Sequence, residues 1–281
     1  MNEKSDSISL PLATIAIIGQ PPSALTILAT GLCCRTPEIL EPFDVKASLP
    51  DKSLLPAAMR RRTGLTTRLA VTAATHACQH AGLEPRTMPS VFASVGGEIQ
   101  VTDSLCRNLA DPDGIISPTQ FHNSVHNTTV GYWTILHRCH GPSTAIAALD
   151  DTFAMGLLEA WNQVQLSCGP LLLVCYDEEW PQYLAPPTGK AALACAFIVA
   201  GSNHSGPKIT QPRIQQGSGV GEPERTDSRF LFPDSRLETL AKEAPAAAAL
   251  PLLQAMSGKI SCSNIPLNNA GTRWQTDLRF D

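Results

Sequence analysis

Apolar residues fall into short blocks whose spacing switches between continuous runs and helical period, with Gly and Pro between them. Residues 13–18, ATIAII, form an apolar run stopped by Gly19, Pro21 and Pro22, which predicts a strand and then a turn. Residues 25–32 read as a further buried segment, after which Pro37, Pro42 and Pro50 break up a loop-rich stretch. Over residues 57–81, AAMRRRTGLTTRLAVTAATHACQHA, there is no Pro, and Leu65, Leu69, Thr72/Ala73 and Ala77 recur at helical spacing. One helix is predicted there, with Gly82 as its C-cap. Residues 90–95 alternate into Gly96 and Gly97 as strand and turn. Residues 103–109 suit a short helix before the Asp-Pro-Asp-Gly turn at 111–114.

The stretch 117–183 is richer in information. A polar segment, SPTQFHNSVHNTTVGYWTI, is closed by Gly141 and Pro142; a strand of small residues, STAIAAL, then runs into Asp150 and Asp151 and at once into the helical pattern TFAMGLLEAWNQVQL. A carboxylate at a helix start satisfies orphan amides and complements the helix dipole. LLLVCYDEEWP is a buried strand stopped by charges and Pro181, and residues 191–200 form another. Residues 201–234, rich in Gly, Ser, Pro and Gln, read as a flexible linker or loop. Order is expected to resume in an Ala-rich helix over 235–257, broken at Pro245 and at Pro251, and to end in an edge strand over 272–280. Residues 1–200 thus form the main domain and 235–281 a short helix and strand that complete it.

Composition narrows the class. At 281 residues the chain has room for one large domain, and charged residues are 16%, below the usual quarter. With a net charge of -4 and no sustained Lys/Arg face, phosphate-backbone binding to nucleic acid is set aside. The first ten residues lack a basic region followed by an apolar run, and no apolar stretch is long enough to cross a bilayer as a helix, so a cytoplasmic protein without a membrane span is expected. Nine cysteines, scattered singly apart from Cys33–Cys34, have neither disulfide-framework nor metal-finger spacing and read as buried reduced thiols.

A small-residue strand entering a buried helix is the elbow that presents nucleophiles, because helix-end amides polarise whatever sits there. The three motifs SPTQFHNSVHNTTVGYWTI, GPSTAIAALDDTFAMGLLEA and LLLVCYDEEWPQYL, in that order, resemble the N-terminal half of beta-ketoacyl synthases. Among these they are most similar to the short chain-length-factor type of aryl-polyene clusters. The resemblance covers residues 57–200 and implies an α/β, thiolase-like (ketoacyl synthase) fold, mostly its N-terminal half with a shortened C-terminal part. It further implies that the position of the nucleophilic cysteine falls on Asp150. A thiolate forms a thioester that a carbanion can attack, whereas a carboxylate gives a hydrolysable anhydride or stays an inert anion. Active synthases also supply two histidines from their C-terminal half for the oxyanion; after His140 this chain has only His204, in SNHSG.

The resemblance therefore implies a non-catalytic subunit that pairs as a heterodimer with an active synthase, meets an acyl carrier protein and shapes an acyl tunnel. Phe121, His122, His126, Tyr132 and Trp133 are its candidates for tunnel or partner contact. Arg60, Arg61 and Arg62, the sole basic run, suit the acidic surface of a carrier protein, with a solvated helix face as the plain alternative. No metal and no cofactor are expected, since His122 and His126 lack a third ligand at a suitable offset. Two other readings stay open: an enzyme acting on acyl thioesters through Asp150, Asp151 or a cysteine, and a stand-alone acyl- or carrier-binding module.

Overall fold

The structure is a computed structural model that describes residues 24–167, 169–184, 191–214, 240, 244–268 and 274–280. The strand expected at 13–18 lies outside these residues. A mixed sheet runs in the order β3-β2-β4-β5-β1-β6-β9-β7, with β8 also pairing β9. Its strands are β1 (Leu25–Cys34), β2 (Ser90–Ala93), β3 (Ser143–Ile146), β4 (Leu171–Asp177), β5 (Leu193–Gly201), β6 (Lys208–Ile209), β7 (Arg213–Ile214), β8 (Cys262–Pro266) and β9 (Trp274–Arg279). β2 is parallel to both β3 and β4; β5 is antiparallel to β4 and β1.

The continuous apolar runs at β4 and β5 follow from burial on both faces of the sheet. Leu171, Leu173 and Cys175 of β4 join Cys195, Phe197 and Val199 of β5 in one core. Their alternates, Leu172, Val174 and Tyr176 with Ala194, Ala196 and Ile198, fill a second core on the opposite face. Helix α2 (Leu65–Ala81) covers that second face, lying against β1, β5 and β4. Helix α6 (Thr152–Ser167) and a 3-10 turn, Pro245–Ala249, cover the first. The result is a three-layer α/β/α sandwich.

Several expectations are corrected by these contacts. The helix expected over 57–81 is two: α1 (Ala57–Arg60) and α2, separated by residues 61–64. Gly64 is extended at the α2 N-cap and lies against the Glu98 carboxylate, where a Cβ would come within 1.9 Å of Glu98 Oε2. Gly82 does close α2, in the left-handed conformation at φ 64°. The linker expected from 201 begins as sheet, in β6 and β7; its remainder, 215–234, lies outside the described residues. Pro251 does not break the last helix, α7 (Leu250–Ser257), because it sits in the first turn, where no intrahelical N–H is needed. β9 is no edge strand: Leu278 pairs with Ile209 on one side and Cys262 on the other.

Candidate functional site

The elbow leaves the edge of the sheet. β3 pairs with β2 alone among the described strands, and its four residues are exposed or half-buried. The chain then turns through Leu149 at φ 49°, a left-handed conformation costing a non-Gly residue roughly 1–2 kcal/mol. Thr152 braces the turn: its hydroxyl accepts from the Ala148 N–H at 2.9 Å and donates to the Leu149 carbonyl at 2.7 Å. Leu149 is 76% exposed and Asp150 is exposed beside it, while Asp151 accepts a 2.7 Å hydrogen bond from the Asn268 side chain. The capping expected of the carboxylates is not seen: the 3-10 turn Leu149–Asp151 carries no side-chain cap among the described residues, and Thr152 braces the turn instead. Among the described residues no histidine hydrogen bond or ring contact reaches 148–152; His204 turns back on Gly201 at 3.1 Å.

The polar segment folds as α4 (Pro118–Asn123) and α5 (Thr128–His137), preceded by α3 (Ile99–Ala110). Asn123 ties the two proposed contact regions together. Its side-chain N–H donates to the Arg62 carbonyl, and its Oδ1 accepts from the Tyr132 hydroxyl at 3.1 Å. His122 stands edge-on to Tyr132 at 6.3 Å. Phe121 is 65% exposed, and Arg60, Arg61 and Arg62 are all exposed. His126 faces elsewhere, donating from Nε2 to the Ser94 carbonyl at 2.8 Å. Trp133 is wholly buried against Phe92 and His137, a core position. Sequence reasoning passed over Asn123 because nothing in local spacing shows its two long-range partners.

A second group of acids escaped the sequence reading. Glu98, Asp177 and Glu178 are all buried, near the ends of the parallel strands β2 and β4. Asp177 Oδ1 accepts from Ser94 Oγ and the Val95 N–H, each at 2.9 Å. Burial nevertheless raises its carboxyl to about 7, against these donors. Glu178 takes the Gln100 N–H at 3.3 Å and is also raised to about 7, by burial and then by the neighbouring Glu98 charge. Glu98 accepts from the Thr67 N–H at 3.0 Å and from its hydroxyl, while its buried Oε2 has no partner among the described residues; burial raises this acid too. The available signal was two acids abutting a wholly apolar strand, LLLVCY, which reads equally well as a strand stop.

The thiols are mostly sequestered. Burial pushes Cys33 and Cys78 up to about 12 and Cys175 and Cys195 well up, so none of these is a ready thiolate. Among the described residues no three His, Cys, Asp or Glu side chains converge to hold a metal, and no helix is long and apolar enough to cross a membrane.

Comparison with known proteins bears on this geometry. The family model "Beta-ketoacyl synthase, N-terminal domain" matches residues 37–258. No curated protein sequence matches the chain. Among solved structures, the chain is similar to the ketosynthase ApeO in complex with its chain length factor ApeC from Xenorhabdus doucetiae, at 20% identity and a TM-score of 0.63, covering 91% of this chain and 98% of the other. The ishigamide ketosynthase/chain length factor is matched at 13% identity and a TM-score of 0.62, over 92% and 99% of the two chains. A beta-ketoacyl synthase from Burkholderia phymatum STM815 is matched at 11% identity and a TM-score of 0.54, over 85% and 71%. At such identities these structures establish a shared ketosynthase fold.

Proposed function

The chain belongs to the beta-ketoacyl synthase family, and from that premise we propose that it is a non-catalytic, chain-length-factor-like subunit that pairs with an active synthase and shapes its acyl tunnel. The observation that carries this reading is the elbow, which offers the exposed carboxylate of Asp150, with no imidazole contact among the described residues, at the tip where a synthase needs a thiolate. A carboxylate there can neither hold a thioester nor pass an acyl group to a carbanion.

The surroundings of the elbow suit association. β3 has one side unpaired among the described strands, and an open strand edge is a template for pairing with another chain. Ile135 on α5, which packs on β3, is 64% exposed, and Leu149, at the end of the same elbow, is 76% exposed. Exposed apolar side chains beside an open edge favour a partner. In this reading Phe121 and His122 face the partner or its tunnel, Tyr132 stands edge-on behind His122, His126 and Trp133 anchor the segment to the core, and Arg60–Arg62 receive an acidic carrier protein.

Co-expression with the cognate synthase tests the proposal. The two chains are expected to co-elute, and the synthase alone should give products of altered length. Separate elution with unchanged products would end this reading, as would turnover of acyl or malonyl thioesters by the purified chain that Asp150→Ala abolishes.

A further inference from the structure

We propose that His76 and His80, one turn apart on α2, form a two-imidazole site for a borderline divalent transition-metal ion such as Zn²⁺ or Ni²⁺. The two histidines of HACQH stand at i and i+4 inside one unbroken helix, Leu65–Ala81, so they share a face. Their rings stack at 6.4 Å between centroids, with 30° between planes. With each metal–nitrogen bond near 2.1 Å, two imidazoles sharing one ion have centroids no more than about 6.5 Å apart, so the pair is within reach of a common ion. The same spacing at His122 and His126 is not equivalent. Helix α4 ends at Asn123, before His126, and the Nε2 of His126 is spent on the Ser94 carbonyl.

The partners of the two rings decide which nitrogen is available. His80 Nδ1 lies 2.9 Å from the Thr30 carbonyl, which can only accept, so Nδ1 carries the proton and Nε2 keeps its lone pair. His76 Nδ1 lies 3.2 Å from Ser48 Oγ, and Ser48 gives its one hydroxyl proton to the Leu32 carbonyl at 3.1 Å. Toward His76 it is therefore an acceptor, and His76 too is held as the Nδ1–H tautomer. Cys33, beside Ser48, is kept a thiol by burial and makes no claim on that proton. Neither Nε2 has a hydrogen-bond partner among the described residues. A ring N–H donated to a backbone carbonyl or hydroxyl is the second shell that orients a metal-binding histidine.

Charge around the pair favours a cation. His80 is in the last turn of α2, where the helix dipole is negative, and the Asp51 carboxylate lies within electrostatic reach of His76. Asp51 is itself turned to the Ser53 N–H at 2.7 Å, so the protein offers two ligands and water completes the sphere. Two neutral imidazoles suit Zn²⁺, Ni²⁺ or Cu²⁺ and not Mg²⁺, which takes oxygen ligands. The site is independent of the proposed partner surface: β1, which carries Thr30, is four strand spacings from β3, roughly 19 Å.

Titration calorimetry of the untagged full chain with Ni²⁺, Zn²⁺ and Mg²⁺, followed by X-ray absorption at the nickel edge, tests the proposal. One Ni²⁺ or Zn²⁺ should bind per chain and Mg²⁺ should not. His76→Gln and His80→Gln should each weaken Ni²⁺ binding about tenfold or more, and the absorption spectrum should show imidazole nitrogens without sulfur. His80 is exposed, so its replacement keeps the test valid if His76→Gln fails to fold. No Ni²⁺ or Zn²⁺ binding by the native chain, full Ni²⁺ affinity in His80→Gln, or a sulfur ligand on the nickel would overturn the proposal.

Discussion

Two acid pairs follow apolar strands in this chain, Asp150–Asp151 after STAIAAL and Asp177–Glu178 after LLLVCY, and the fold treats them in opposite ways. The first leaves β3 at the sheet edge; Asp150 is exposed and Asp151 is held by a single side chain. The second leaves β4 in the sheet interior, where Asp177 is 2% exposed and its oxygen collects a hydroxyl and backbone N–H groups. The same local pattern thus yields a presented group in one place and a structural acceptor in the other. Position in the sheet decides which, through the number of neighbours that strip water from the carboxylate.

Substitution should expose the contrast most strongly at Asp177. Asp177→Ala leaves Ser94 Oγ and the Val95 N–H without their buried acceptor, for an expected loss of about 3 kcal/mol in denaturant unfolding. If that loss falls below about 1 kcal/mol, the interior acid is not the structural acceptor described.

A pH titration of stability should come next in size. The Asp177 and Glu178 carboxyls move from 3.8 and 4.5 to about 7 on folding, so between those values the folded state binds more protons than the unfolded chain. Stability is therefore full below about pH 4, falls as pH rises toward 7 and levels off above it. Asp177→Asn keeps an acceptor oxygen without the charge and should flatten part of that decline. A rise in stability across this window, persisting in the Asn variant, would contradict the burial of uncompensated acids.

The edge region should respond in association and not in stability. Leu149→Asp and Phe121→Asp are expected to weaken co-elution with the synthase about tenfold while shifting unfolding by no more than about 0.5 kcal/mol, as exposed positions do. Unchanged association in both would move the partner surface away from β3. Smallest of all, Asp150→Ala should leave stability within about 0.5 kcal/mol, since Thr152 and not Asp150 braces the turn.

What the sequence made legible was whatever is written in local periodicity. β4, β5, α2 with its Gly82 cap and the small-residue strand running into α6 all follow from runs and spacings within one segment. What it hid depends on partners distant along the chain. β9 alternates like an edge strand because only the structure brings β6 and β7 to one side of it and β8 to the other. The start of α2 is marked by Glu98, more than thirty residues away, whose carboxylate accepts the Thr67 N–H and leaves no room for a side chain at Gly64. At the site, the acid at the elbow was readable from its motif, but its exposure was not. Nor was the bridge that Asn123 makes between Arg62 and Tyr132, whose parts lie in three separate segments.

In the proposed role this chain supports an acyl-transferring partner without itself becoming acylated. Intact-mass analysis of the purified heterodimer after incubation with an acyl-loaded carrier protein tests it most directly. One acyl adduct is expected on the synthase and none on this chain, with the same null result for this chain alone. An acyl adduct mapped to Asp150, or to any cysteine of this chain, would contradict it.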